Sequence, residues 1–213
     1  MGFYVWEYLG FVRAMKTGFA EFKAVGRKKF GGEFPKCPEC ETRIGTLNWQ
    51  PPFVVQLTTN KFGDLCTDGQ DILLSDRFRE AWVNSGLTGL RFERVNVEVA
   101  ITERSTPIYF VARIAHTITR LDEKASGVVA SNVVGCDSCR VMAREKVERI
   151  RLDRHTIPEL DIFRPSGLYG ATLVTSRFVE FVNELSLKNF HFKHQDDYRE
   201  PKVFEEQPSS PRN

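Results

Sequence analysis

Leu73-Leu74-Ser75-Asp76-Arg77-Phe78-Arg79-Glu80 is matched a hundred residues on by Leu173-Val174-Thr175-Ser176-Arg177-Phe178-Val179-Glu180, with Leu, Arg, Phe and Glu in register. Each segment reads as a strand end running into a capped helix. Ser75 or Asp76, and Thr175 or Ser176, can accept from the free N–H groups of a first helical turn. Phe78, Ala81, Trp82 and Val83 give the first helix an apolar face, and Gly86 offers a left-handed stop. Phe178, Val179, Phe181, Val182 and Leu185 supply the second face. Gly89-Leu90-Arg91-Phe92 and Asn189-Phe190-His191-Phe192 then predict one strand after each helix.

A spacing one residue shorter governs four of the five cysteines. Cys37-Pro38-Glu39-Cys40 and Cys136-Asp137-Ser138-Cys139 are two CxxC turns at an offset of 99. A CxxC turn lets two sulfurs converge on one ion, so two turns can complete a tetrahedral four-thiolate site. Cys37, Cys40, Cys136 and Cys139 are therefore expected to bind one Zn²⁺ between two packed halves. A closed four-sulfur site leaves no open coordination position, so the zinc is expected to be structural. The competing readings are buried reduced thiols and a redox dithiol; neither pair opens a clear βαβ helix, as a dithiol centre would. Cys66 has no partner by spacing and reads as a small loop residue.

The expected fold is α+β: two related halves, an internal duplication, each with a CxxC knuckle, short strands and one main helix, joined around a shared zinc. Residues 1–122 form the first half and 123–199 the second, with 121–127 as the polar boundary. Residues 200–213, rich in Pro, Ser and Glu, carry too little apolar surface to pack. In the first half, 3–13 reads as a strand or a short helix, with the strand preferred, and 44–57 as extended structure broken at Pro51-Pro52. Gly26 to Gly32 is a basic loop and 61–72 a turn-rich loop. Val95, Val97, Val99 and Ile101 alternate as a half-buried strand that pairs with 108–119. The second half is expected to place a strand at 147–152 and a loop at 161–170.

A formal net charge of +2 argues against strong nonspecific nucleic-acid binding. No stretch approaches the ~18 apolar residues of a membrane span, and the opening Met1-Gly2-Phe3-Tyr4-Val5-Trp6-Glu7 lacks a basic n-region, so a cytoplasmic protein without a membrane partner is expected. Catalytic signatures are missing: Ser75 and Ser176 sit in no GxSxG elbow, no phosphate-binding glycine pattern occurs, and the histidines do not cluster. His116, between Ile114 and Ile118, reads as a buried, hydrogen-bonded strand histidine. Arg27-Lys28-Lys29 and the acidic pairs read as solvated surface.

The twin CxxC pairs, the 73–80 segment and the run Arg151-Leu-Asp-Arg-His155-Thr-Ile-Pro158-Glu-Leu-Asp161-Ile-Phe163-Arg164 resemble the double-CXXCG motif family of myxobacteria. That family includes SitI immunity proteins, each paired with a SitA lipoprotein toxin. The resemblance covers residues 36–194 and is strongest in the second half. Glu41 and Arg140 stand where the family has Gly after each CxxC. The resemblance implies a cytoplasmic immunity protein, not an enzyme, that binds a cognate toxin stoichiometrically. Such an interface needs aromatic or Arg anchors, for which Trp49 and Trp82 are candidates. The alternative is a zinc-ribbon nucleic-acid-binding regulator, although the residues flanking both knuckles mix acids and bases.

Overall fold

Both repeated segments form a strand, a helix and a strand in the computed structural model, which describes residues 2–7, 18–25, 33–98, 107–166, 168 and 171–198. The basic loop at 26–32, the residues 99–101 and the tail at 200–213 lie outside the described residues. In chain order the strands are β1 (Phe3–Trp6), β2 (Phe22–Ala24), β3 (Val54–Leu57), β4 (Leu65–Thr67), β5 (Ile72–Ser75), β6 (Leu90–Arg94), β7 (Asn96–Glu98), β8 (Tyr109–Ile114), β9 (His116–Thr117), β10 (Val129–Val133), β11 (Met142–Lys146), β12 (Ile162–Pro165), β13 (Leu173–Thr175) and β14 (Phe192–His194). The described α-helices are α1 (Asp76–Ser85), α2 (Glu123–Ser126) and α3 (Ser176–Glu184), so the protein is α+β and mostly strand.

The caps follow from the sequence. Phe78 N–H donates to Ser75 Oγ at 3.2 Å, and Phe178 N–H donates to Thr175 Oγ1 at 3.4 Å. The chain leaves α1 through Gly86 (φ 69°) and passes Ser186 (φ 49°) just beyond α3; only the first is free of a Cβ penalty there. Helix α1 buries Phe78 and Trp82, one turn apart, and α3 buries Phe178 and Val182 at the same spacing. Val83, expected on the buried face, is exposed, because the stripe that meets the sheet is the 78/82 row.

Two sheets share one plan. The four-stranded sheet runs β4-β5-β8-β6, all antiparallel. The larger sheet runs β12-β13-β1-β14, also antiparallel, with β9 added parallel to β12. Thus β1, from the start of the chain, occupies the slot in the second sheet that β8 occupies in the first. The helices meet between these sheets in one core containing Trp6, Leu74, Phe78, Trp82, Val174, Phe178 and Val182. Phe78 and Phe178 lie 6.3 Å apart there, and Phe190 stacks on Phe78 at 5.5 Å. Each fully buried Phe contributes about 1.5–3 kcal/mol through burial, so this shared core is a principal contact between the two sheets. A second core (Phe3, Val5, Ile150, Phe163, Leu173) and a third (Phe22, Trp49, Val55, Val111) lie outside it.

Four local expectations are corrected. The strand expected at 147–152 lies earlier, as β11; Val147, Ile150 and Leu152 are buried without forming a ladder, apart from one bridge from Leu152 to Leu121. The loop at 161–170 contains β12, whose Ile162 and Phe163 are buried and pair with β13. The loop at 61–72 contains β4, and Cys66 is a fully buried strand residue whose Sγ donates to the Ala20 carbonyl at 3.0 Å. The strand expected at 95–101 to pair with 108–119 is, in its described part, β7, which pairs parallel with β3, and the strands beside β8 are β5 and β6.

Candidate metal centre

Each CxxC sits in a turn whose backbone is closed on itself. Glu41 N–H donates to the Cys37 carbonyl at 3.0 Å, and Arg140 N–H to the Cys136 carbonyl at 2.8 Å. The residue after each knuckle is left-handed, Glu41 at φ 58° and Arg140 at φ 43°. Both therefore keep the conformation a Gly would adopt freely, at a cost on the order of 1 kcal/mol each. The first turn is flanked by the Lys36–Arg43 bridge, and the second forms the tip of the β10–β11 hairpin.

The structure brings Cys37, Cys40, Cys136 and Cys139 together, with all four Sγ within 4.8 Å of one another. Cys37 to Cys136 is 3.8 Å, Cys40 to Cys139 is 3.7 Å and Cys136 to Cys139 is 4.0 Å. A tetrahedron with Zn–S bonds of about 2.3 Å has sulfur–sulfur edges of about 3.8 Å, so these residues fit a four-thiolate zinc. Cys37 and Cys139 are buried against Ile44 and Val141, whereas Cys40 and Cys136 are half-buried. Burial pushes the Cys139 thiol up to about 12. The Thr42 hydroxyl, followed by hydrogen bonds involving the Cys136 and Thr42 backbones, holds Cys40 down at about 6. A thiolate at Cys139 thus calls for a nearby cation, and a bound dication would hold all four sulfurs deprotonated. Held by four sulfurs, such an ion would supply structural cross-linking only.

Further contacts fasten the second turn to the first and to the chain around it. Ser138 Oγ donates to Glu39 Oε2 at 2.5 Å, one knuckle to the other. Ser166 Oγ donates to the Cys139 carbonyl at 2.9 Å, and Arg140 donates to Glu123 Oε1 from Nε and Nη2 at 2.9 and 2.7 Å. Arg120 pairs with Asp153 at 2.5 Å and also donates to the Asp137 carbonyl. A cavity of about 300 Å³ lined by Arg120, Asp122, Glu123, Arg140 and Asp153 opens beside the second knuckle. Its arginines are already matched to carboxylates, which does not make a basic face.

Gly135 is a residue the spacing did not reveal as part of the site. A Cβ there would stand 2.3 Å from Cys139 Sγ and 2.9 Å from the Val141 nitrogen. Gly135→Ala is therefore expected to displace the sulfur and weaken metal retention about tenfold or more, measured as chelator-competition release from the purified protein.

His116 docks the first knuckle's exit onto the sheet edge: a Cβ on Gly45 would lie 2.2 Å from its Cδ2. The expectation of a hydrogen-bonded histidine is not met at Nε2, which is buried without a hydrogen-bond partner. Burial, then the Arg164 charge, lowers its pKa from 6.5 to about 4. The folded state therefore resists a proton that the unfolded chain accepts below about 6.5. Stability is expected to fall by up to about 3 kcal/mol as pH drops from 6.5 to 4 and to lose no more on this account below that. His116→Gln should flatten that segment of a denaturation-versus-pH curve.

The proposed aromatic anchors are corrected. Trp49 and Trp82 are 2% and 5% exposed; Trp49 stacks with Phe22 and Trp82 with Phe78. Both are core residues and cannot present an interface. His155 lies in a short 3₁₀ turn (Arg154–Thr156), and His194 Nδ1 is 3.6 Å from Asp196 Oδ2, so the histidines stay dispersed.

Sequence reasoning also missed two buried carboxylates with parallel contacts. Asp64 accepts from Ser75 Oγ at 2.7 Å, Arg77 Nη1 at 3.3 Å and Lys188 N–H at 2.8 Å. Asp161 accepts from Thr175 Oγ1 at 2.9 Å and Thr88 N–H at 3.0 Å, with Arg177 Nη1 at 3.3 Å. Each carboxylate thus holds the cap of its own helix and the backbone that follows the other helix.

Compared with known protein families, residues 20–197 match the model described as Immunity protein family (Imm11). No curated protein matches the chain. The matched span contains all four clustered cysteines, both long helices and both buried carboxylates.

Proposed function

The chain belongs to the Imm11 immunity protein family, and we propose that it neutralises a cognate protein toxin by forming a one-to-one complex with it. The single observation that carries this reading is the family match across nearly the whole described fold. In this reading the toxin is of the SitA type and the complex forms in the cytoplasm. Neutralisation is stoichiometric: the protein occludes a toxin surface and performs no chemistry of its own. The convergence of the four sulfurs on zinc-like edges supports a structural Zn²⁺ held by Cys37, Cys40, Cys136 and Cys139. The matching strand orders, the caps at 75 and 175 and the parallel contacts of Asp64 and Asp161 support an internal duplication. Its halves are 1–122 and 123–199, with β1 exchanged into the second sheet.

Co-expression with the toxin candidate of the neighbouring gene tests the function. Restored growth and a one-to-one complex by light scattering are expected. Unrestored growth together with salt-sensitive binding to DNA or RNA would overturn the proposal in favour of a nucleic-acid regulator.

A further inference from the structure

The β10–β11 hairpin is the part of the described surface least explained by the fold itself. Its strands pair only with each other among the described residues, so each offers an outer edge. An isolated two-stranded ribbon is marginal in water, yet this one is held at both ends. At the base, Glu148 and Arg149 N–H groups donate to the Ser126 carbonyl at 3.0 and 3.3 Å. At the tip, the four cysteines and the Ser138–Glu39 hydrogen bond tie it to the first knuckle. The ribbon is thus stiffened and projected, with the metal centre as its outer anchor.

Its first strand carries only one of the features that protect an edge, a register irregularity near its base. Exposed edges are normally guarded by charge, Pro or a bulge. Residues 128–135 read Val-Val-Ala-Ser-Asn-Val-Val-Gly, with no ionisable side chain and no proline. Val129, Val133 and Val134 are 49%, 42% and 61% exposed, half of the large exposed hydrophobics among the described residues. A register irregularity sits at 129–132, toward the base, and the pairs Asn132–Ala143 and Val133–Met142 continue regularly to the knuckle. β-Branched residues on an open, uncharged edge favour an added strand: its backbone would satisfy the edge, and its apolar side chains would cover the valines without desolvating a charge.

We propose that the outer edge of β10, with Val129, Val133 and Val134, is a docking surface for an extended, uncharged apolar strand of the toxin. This rests on the immunity reading above, which supplies the protein partner. The neutrality of 128–135 selects the occupant's chemistry, because β10 itself offers a charged strand no ionisable side chain to pair against. The knuckle sets the ribbon's direction, so the ion shapes recognition without touching the partner.

The test uses the full chain, its metal and the toxin candidate of the neighbouring gene. Val133→Lys is expected to weaken the complex at least thirtyfold by titration calorimetry, with zinc content and near-ultraviolet circular dichroism unchanged. Val129→Thr/Val133→Thr/Val134→Thr, which keeps shape and strand propensity, covers the case in which the lysine variant misfolds and is expected to lose at least tenfold. Backbone amides at 129–134 should gain hydrogen-exchange protection in the complex. A neutralising complex with undiminished affinity in both variants and no added protection overturns this surface while leaving the immunity reading intact. Failure of the wild-type protein to form any complex overturns both. Self-association of the protein alone, abolished by Val133→Lys, would assign the edge to a second copy and overturn the toxin assignment.

Discussion

Cys139→Ser is expected to reduce bound zinc from about one ion per chain to less than half of that, and to lower the melting temperature by about 10 °C. Cys139 is fully buried, contacts two of the other sulfurs, and has a carbonyl fixed by Ser166. Serine places a poorer, shorter ligand in a position that cannot move outward to compensate. The structural zinc of small fingers contributes about 10–16 kcal/mol of apparent binding energy because those peptides have no fold without it. Here three apolar cores exist apart from the cysteine cluster, so only the energy of holding the knuckles together should register. A loss of about 4 kcal/mol is what linkage gives for an ion present near a thousand times its dissociation constant. Removing zinc with a strong chelator should reproduce the shift in the wild type and add little in Cys139→Ser. Cys66→Ser is the control, since Cys66 lies outside the cluster on β4 and a hydroxyl can also donate to Ala20. It should keep full zinc. Full zinc and an unchanged transition in Cys139→Ser would remove the four-sulfur clamp from the structure's account.

What could be read from the sequence was local or periodic. The helices at 76–85 and 176–184 were legible because caps, apolar spacing and a following strand all pointed the same way. The cysteines were legible because a shared offset of 99 implies that two turns face each other once the helices do. Strand β11 was not, because Arg144, Glu145 and Lys146 break the alternation that marks a half-buried strand. Val147, Ile150 and Leu152 imitate that alternation while filling a core as irregular chain. Strand β12 was hidden by Pro165, which is tolerated at a strand end. The place of β1 in the second sheet depends on a pairing with residues far along the chain, which no short window contains. Trp49 and Trp82 failed as anchors for a related reason: an aromatic on an amphipathic segment is written the same way whether it meets solvent or another sheet. Asp64 and Asp161 escaped notice because one precedes its cap by 11 residues and the other by 14, so the repeat is out of register there.

Those two carboxylates carry the other large expectation. Asp64→Asn and Asp161→Asn should each cost about 3 kcal/mol, and the two costs should agree within about 1 kcal/mol. Asp64 is 7% exposed and Asp161 4%, and each gathers a cap hydroxyl, a backbone N–H and a guanidinium. Asparagine keeps the volume but turns an N–H₂ toward one set of donors, leaving a buried donor without an acceptor. The guanidiniums contribute little of the total, because Arg77 and Arg177 side chains are 57% and 60% exposed and water screens them. Arg77→Ala and Arg177→Ala are thus expected to cost less than about 1 kcal/mol at their carboxylates. The larger share comes from what each Asp joins: its own helix cap to Lys188 or Thr88, in the connection between the other helix and the strand that follows it. Loss of either contact should loosen both sheets at once, seen as earlier hydrogen exchange in β6 and β14 together and not in one alone. Denaturant unfolding of the four variants separates the cases. Equal large costs for the two aspartates would fit two equivalent locks across a duplicated unit. A cost confined to one of them would mean that the parallel contacts are not energetically equivalent, and the proposed duplication would then rest on strand order and caps alone.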